Sequence, residues 1–386
     1  MILIKDINFK EKLDLLSLNY YGGKIVDPSE HMFQKFYNNT KGNVFYPFFM
    51  RYPITEHDFC EAVDPAYLLQ LKEKKIKPLI IMVTECWELF LQNRRTKLSP
   101  YQIIVNKFLE YGIIENEIYW IVNNINIEQE INELKKKGTS IRANFYHFNY
   151  FLQYQQTSKI FKETQNIQYH FASLSQGSLR HHRYGITYGL HQYDLIKKGK
   201  ISCPAFKNFK YNFVSDSLLI NLDTKEYLKK FNFYKNNLEE FEKILPLILD
   251  NKTNQYHNYD YENNLIKDVF INIVNETHHP NNTFFVTEKT FRSIAHGKPF
   301  LINGDPGTLK YLKSIGFKTF DQWWDESYDE IKNEWERIES LLKIVKNICS
   351  QSTEKCMRIY QEMLPTLKHN WSLLNNINEY KNFENL

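Results

Sequence analysis

No stretch of this sequence approaches the about 20 consecutive apolar residues of a membrane-spanning helix. The opening segment, Met1 to Asp6, lacks an apolar run of signal-peptide length, so a cytoplasmic protein is expected. Cysteines are few. Cys60, Cys86, Cys203, Cys349 and Cys356 form no Cys-x-x-Cys pair and no Cys/His spacing of a zinc site, which suits reduced thiols. An Asp-x-Asp motif with supporting ligands is missing, so no metal site is expected. Charge of one sign is scarce as well. Lys+Arg 49 against Asp+Glu 45 leaves +4, too little for the dense basic stripe of a nucleic-acid binder, and compatible with a small phosphate-bearing ligand. Internal repeats and a low-complexity tail are also lacking.

What remains is a chain of 386 residues with 42% hydrophobic and 24% charged residues, enough for two packed cores. The 16% aromatic content is read as core and half-buried surface. Residues 78–83 form a continuous apolar run, as in a strand buried on both faces of a parallel sheet. Ser99 and Pro100 open a helix, and a strand follows at Ile118–Val122. A polar helix over Asn126–Lys137 stops at Gly138, before a strand at Ile141–Phe148. This alternation predicts a doubly wound α/β domain. A second series starts at Tyr169–Ser175, continues through a helix ending at Gly199, and adds strands at Ile201–Cys203, Val269–Val274 and Phe284–Val286. An amphipathic helix is predicted near Tyr234–Leu249. Beyond Tyr328 the pattern is helical. The expected division is 1–160, 161–330, and C-terminal helices over 331–386 that pack back on both domains.

The stretch 284–307 carries the chemistry. Thr287 is placed as the N-cap of a helix that buries Phe291, Ile294 and Ala295 and stops at Gly297. A strand over Phe300–Asn303 and a turn at Gly304–Gly307 follow, with Thr308 as the next cap. Lys289 lies in the first turn, where the helix dipole disfavours a cation. A lysine beside unsatisfied helix N–H groups, outside the carboxyl end of a parallel strand, makes an anion site. Glu288 beside it can accept ribose hydroxyl hydrogens. A second cationic helix start, Arg180-His181-His182-Arg183, follows a strand and supplies forked guanidinium donors for phosphate. Each cluster taken alone also fits a solvated surface turn. Two in one half of the chain fit a diphosphate held between loops.

Thr287-Glu288-Lys289-Thr290, the apolar helix, Gly297-Lys298-Pro299, an apolar strand and then Gly304 and Pro306 resemble the donor-binding segment of GT-B glycosyltransferases, and of the α-1,3-fucosyltransferase family in particular. The resemblance covers about 150 residues of the C-terminal half. It implies two Rossmann-like domains, a ribose contact for Glu288, and diphosphate contacts for Lys289 and for Arg180 or Arg183. The Arg180–Arg183 segment also resembles phage-encoded proteins described as glycosyltransferases. The N-terminal half shows no fucosyltransferase acceptor motif. The resemblance implies a metal-independent enzyme that takes a nucleotide sugar as substrate, with no cofactor. Candidate bases are Glu85 and Glu88, after the strand ending at Val83, with His181 and His182 as rivals. The acceptor is expected to be a glycan. Alternatives are a modified DNA base, or no acceptor at all in a non-catalytic nucleotide-binding protein.

Overall fold

The structure, a computed structural model, describes residues 2–3, 44–49, 69, 71–74, 77–82, 89–90, 98–153, 160–175, 181–205, 238–249, 259–277, 284 and 286–377. These build two parallel sheets flanked by helices. The N-terminal sheet holds β1 (Ile2–Leu3), β2 (Val44–Phe49), β3 (Lys77–Met82), β4 (Tyr119–Val122) and β5 (Asn144–His147), in that spatial order and all parallel. The aromatic run at residues 45–49 thus lies between two strands.

Helix α1 (Pro100–Glu110) begins with a reciprocal cap. Ser99 Oγ accepts from Gln102 N, and Gln102 Oε1 accepts from Ser99 N at 2.9 Å. Its buried face, Tyr101, Ile104, Val105 and Phe108, meets Ile80, Trp120 and Val122 of the sheet. Helix α2 (Ile127–Lys136) buries Ile127 and Ile131 and ends before Gly138, whose φ of +88° relieves the strain a side chain would meet there.

Helix α3 (Tyr150–Gln153) leads toward the second sheet, which holds β6 (Tyr169–Leu174), β7 (Gly199–Ser202), β8 (Val269–Asn275) and β9 (Phe300–Asn303) in the order β7-β6-β8-β9, all parallel. This order reverses direction between β6 and β8, which makes a switch point. The described strands of the N-terminal sheet run in chain order, and the second sheet shows the reversal of a doubly wound α/β sheet.

Helix α4 (His181–Gln192) follows β6, and α5 (Leu238–Ile244) and α6 (Tyr259–Ile266) precede β8. Helix α5 ends earlier than its periodicity implied, because Pro246 interrupts the chain and Leu247 pairs with Cys203. Helices α7 (Glu288–Ala295) and α8 (Thr308–Ser314) flank β9. The chain ends in α9 (Glu334–Cys349) and α10 (Thr353–Asn376). The core of this half joins Phe171, Ile271 and Leu301 of the sheet to Tyr188, Phe291, Leu341 and Tyr360 of the helices. Helix α9 packs on α4, and α10 on α7. Trp323 and Trp324 gather around Phe320 and pack against this core.

Two local expectations are corrected. Thr308 is the first helical residue of α8 and not its cap; Gly307 stands at the cap with φ +86°, and Asp329 accepts from Leu309 N and Lys310 N at 3.0 and 3.1 Å. Phe284 joins no strand of its own sheet. Its carbonyl accepts from Ile125 N at 2.7 Å and its N–H donates to Asn124 Oδ1 at 3.1 Å, so it fastens the β4–α2 turn to the segment before α7.

Candidate functional site

The carboxyl ends of β6 and β8 flank the switch point, and polar side chains close over them. Ser202 at the end of β7 accepts, through its carbonyl and Oγ, from Ser175 N at 3.0 and 3.1 Å. Asn275 Nδ2 donates to Ser173 Oγ and Ser175 Oγ at 3.0 and 3.1 Å. Asn303 Nδ2 donates to Asn275 Oδ1 at 2.9 Å and to His182 O at 3.1 Å. All four strand ends are thus joined by a chain of buried hydrogen bonds, which fixes the floor of the crevice.

Above that floor sits Glu276, a buried residue that sequence reasoning missed. Its carboxylate accepts from Thr287 N and Thr290 N at 3.2 Å each, from Thr277 N at 3.1 Å, from Thr290 Oγ1 at 2.6 Å and from Thr287 Oγ1. Its carbonyl receives His182 Nε2 at 2.8 Å and Arg183 Nη2 at 3.3 Å. Gly304 is required at its place because a Cβ there would lie 2.9 Å from Glu276 Cβ. The only sequence signal for Glu276 was an acid directly after a buried apolar strand.

This corrects the expected anion site. The N–H groups of Thr287 and Thr290 are engaged by Glu276, and Lys289 N points to Thr287 Oγ1 at 3.4 Å. At the start of α8, Asp329 takes two N–H groups in the same way. The positive ends of both helices are therefore met by the protein's own carboxylates. Lys289 Nζ lies 2.8 Å from Glu288 Oε1, 3.2 Å from Thr287 Oγ1 and 3.3 Å from Thr277 Oγ1, partly exposed over the turn. Burial raises the proton affinity of Glu288, but Lys289 and Arg292 outweigh it and hold the carboxyl at about 2. Glu288 is thus anionic at any physiological pH.

At the other wall of the switch point, the start of α4 carries His181, buried His182 and buried Arg183. Arg180 lies outside the described residues, as do Glu85 and Glu88. The structure therefore gathers Thr287, Glu288, Lys289, Thr290, Gly304, His182 and Arg183 at one edge of one sheet.

The N-terminal sheet turns its carboxyl edge to the same region. Besides the Asn124–Phe284 and Ile125–Phe284 bonds, Asn149 Nδ2 donates to Tyr311 OH at 2.9 Å, and Tyr311 meets the Phe284 ring edge-on at 5.8 Å. Asn124 also donates to Glu130 Oε2 at 2.7 Å. Burial is the main influence on that half-buried carboxyl and raises it to about 7. Among the described residues no cluster of three or more His, Cys, Asp or Glu could hold a metal, and no helix is long and apolar enough to cross a membrane.

Fold and site together define an α/β protein of two parallel sheets, with a mixed-charge crevice at the switch point of the second. No protein-family model matches the chain, and no curated protein does. Solved structures similar to it are those of glycosyltransferases. The DNA-modifying enzyme β-glucosyltransferase is 13% identical over 100% of this chain and 94% of its own, with a TM-score of 0.40. A further structure of the β-glucosyltransferase of T4 phage gives 13% over 90% and 80%, with a TM-score of 0.38. UGT2 of Phytolacca americana gives 10% over 97% and 91%, with a TM-score of 0.29.

Proposed function

We propose that this chain is a nucleotide-sugar-dependent glycosyltransferase of the GT-B kind, with domains at 1–160 and 161–330 and terminal helices over 331–386. The observation that carries this reading is the pairing of anionic Glu288 with Lys289 at the start of α7, on the switch-point crevice of the second sheet. Carboxylate and ammonium one residue apart match the two parts of a nucleotide donor next to its sugar. Glu288 accepts from the ribose hydroxyls. Lys289 neutralises the diphosphate, helped by Arg180 or Arg183.

In the transfer step the acceptor hydroxyl oxygen forms a bond to the anomeric carbon, and the bond from that carbon to the diphosphate oxygen breaks. The electron pair leaves with the nucleoside diphosphate, whose growing charge Lys289 stabilises. The hydroxyl proton passes to a base at the carboxyl edge of the first sheet. Glu85, after β3 in the sequence, is the first candidate, with Glu88 next and His181, at the start of α4, as a rival from the other half. Glu130 joins them because its raised proton affinity suits a base working near neutrality. The residues present supply the charge stabilisation without a metal, and the acceptor is a glycan-type hydroxyl.

The test is thermal denaturation with a panel of nucleoside diphosphates and nucleotide sugars, since a ligand that binds only the folded state raises its melting temperature. One nucleotide class is expected to shift wild type, and Lys289→Ala to bind that ligand about 10- to 100-fold more weakly, the loss of one or two charge-assisted hydrogen bonds. No shift with any member at millimolar concentration, or unchanged affinity in a folded Lys289→Ala variant, refutes the donor site.

A further inference from the structure

Two adjacent asparagines follow β4, and they differ in one respect. Both are buried, Asn123 with 0% and Asn124 with 1% of its surface exposed. Asn124 is fully engaged, donating to Glu130 and accepting from Asn126 N and Phe284 N. Among the described residues, Asn123 finds no hydrogen-bond partner at either its amide nitrogen or its carbonyl oxygen. A buried carboxamide with both ends unpaired costs free energy that folding alone gives no reason to spend. Selection for packing would place an apolar residue there.

The location gives the reason. Asn124 and Ile125 are bonded to Phe284, three residues before Thr287 and the start of α7. Asn123 therefore stands at the carboxyl edge of the first sheet, where that sheet meets the segment leading to Glu288 and Lys289. On the neighbouring strand, His147 pairs in register with Val122, the residue before Asn123, and its buried Nε2 also has no partner among the described residues. Burial pushes the His147 imidazole down to about 4, so the ring is neutral near pH 7. Among the described residues at this edge, Asn123, Asn124, His147 and Asn149 offer neutral donors and acceptors, beside the Glu130 carboxyl that Asn124 holds. A phosphodiester backbone would meet no countercharge at these two side chains. A hydroxyl both donates and accepts, which is what a carboxamide offers in return.

We infer that Asn123 recognises the acceptor, its carboxamide holding a hydroxyl of a neutral sugar at the carboxyl edge of β4, with Asn124 fixing it beside the donor segment. This rests on the glycosyltransferase reading above. Asn123 holds the acceptor and takes no proton from it.

The test compares full-length wild type with Asn123→Leu, which keeps the branch point and replaces both polar atoms by methyl groups. Three quantities are read: melting temperature without ligand, the shift given by the nucleotide sugar that binds wild type, and transfer from that donor to a panel of methyl hexopyranosides. The variant is expected to melt at or above wild type, since an unpaired buried amide has been removed. Its donor shift should be unchanged. Its KM for the methyl glycoside should rise by about tenfold or more with kcat nearly unchanged, because a binding contact shared by ground and transition states has been lost. A lower melting temperature with unchanged KM makes Asn123 a structural residue and overturns the inference. So does a wild type that binds donor but glycosylates only duplex DNA bearing a hydroxylated base, or none of the glycosides. Failure of every nucleotide sugar to shift wild type is the separate failure of the donor-site reading.

Discussion

Removing the Glu276 carboxylate should loosen the start of α7 by an amount that the hydrogen bonds set. Five donors converge on it: three backbone N–H groups, of Thr277, Thr287 and Thr290, and the hydroxyls of Thr287 and Thr290. In Glu276→Ala the hydroxyls can turn elsewhere, but the N–H groups cannot. A buried donor left unpaired costs about 1–3 kcal/mol, so three of them cost about 3–5 kcal/mol once water enters the space vacated. Glu276→Gln keeps the volume and one acceptor oxygen. It turns an N–H group toward Thr277 N or its counterpart and loses the charge that meets the helix dipole, so about 2 kcal/mol is expected. Urea denaturation followed by tryptophan fluorescence gives the two values. Hydrogen exchange should show the first-turn amides of α7 losing protection more than those of β4. A Glu276→Ala variant within about 0.5 kcal/mol of wild type, or unchanged protection at residues 287–290, would refute the view that the Glu276 carboxylate holds the start of this helix.

Gly304→Ala should destabilise by about 1–3 kcal/mol, because the new methyl would press on Glu276 Cβ from 2.9 Å; the same denaturation series reads it, and a neutral effect would mean that the crevice floor yields. Lys298 gives a pH prediction at the opposite edge of the sheet. Its Nζ is buried against Thr164 Oγ1 at 2.6 Å and the carbonyls of Lys267 and Val269 at 3.0 Å each, and burial pushes it down to about 7. An unfolded lysine titrates near 10.4, so between these values the unfolded chain binds more protons and this residue makes stability rise with pH. Between pH 7 and 9 wild type should gain about 2 kcal/mol relative to Lys298→Met in urea unfolding, and parallel pH profiles would contradict it.

The elements legible in the sequence share a local cause. The run before Val83 and the run Val269–Val274 are apolar on both faces, and each became an interior strand of a parallel sheet. Ser99 with Gln102, Thr287 as N-cap, and the stops at Gly138 and Gly297 depend on residues within a few positions of each other. Misreadings arose where a distant residue took over. Asp329 caps α8 from 20 residues away, and the Phe284 segment pairs with a turn of the other sheet. One overlooked pattern was local. Asn123, Asn275 and Asn303 each close or follow an apolar strand, a repeated polar mark at the crevice edge.

The residue types of the candidate donor segment, its helix and the strand after it were determined by the sequence alone, since caps, apolar periodicity and glycine stops act over one or two turns. The order β7-β6-β8-β9, and so the position of the switch point, depends on which strands pair across the chain, and only the tertiary structure decided it. The same holds for the fate of the free helix N–H groups. Their positive field attracts whichever carboxylate folding brings near, and here that carboxylate is Glu276.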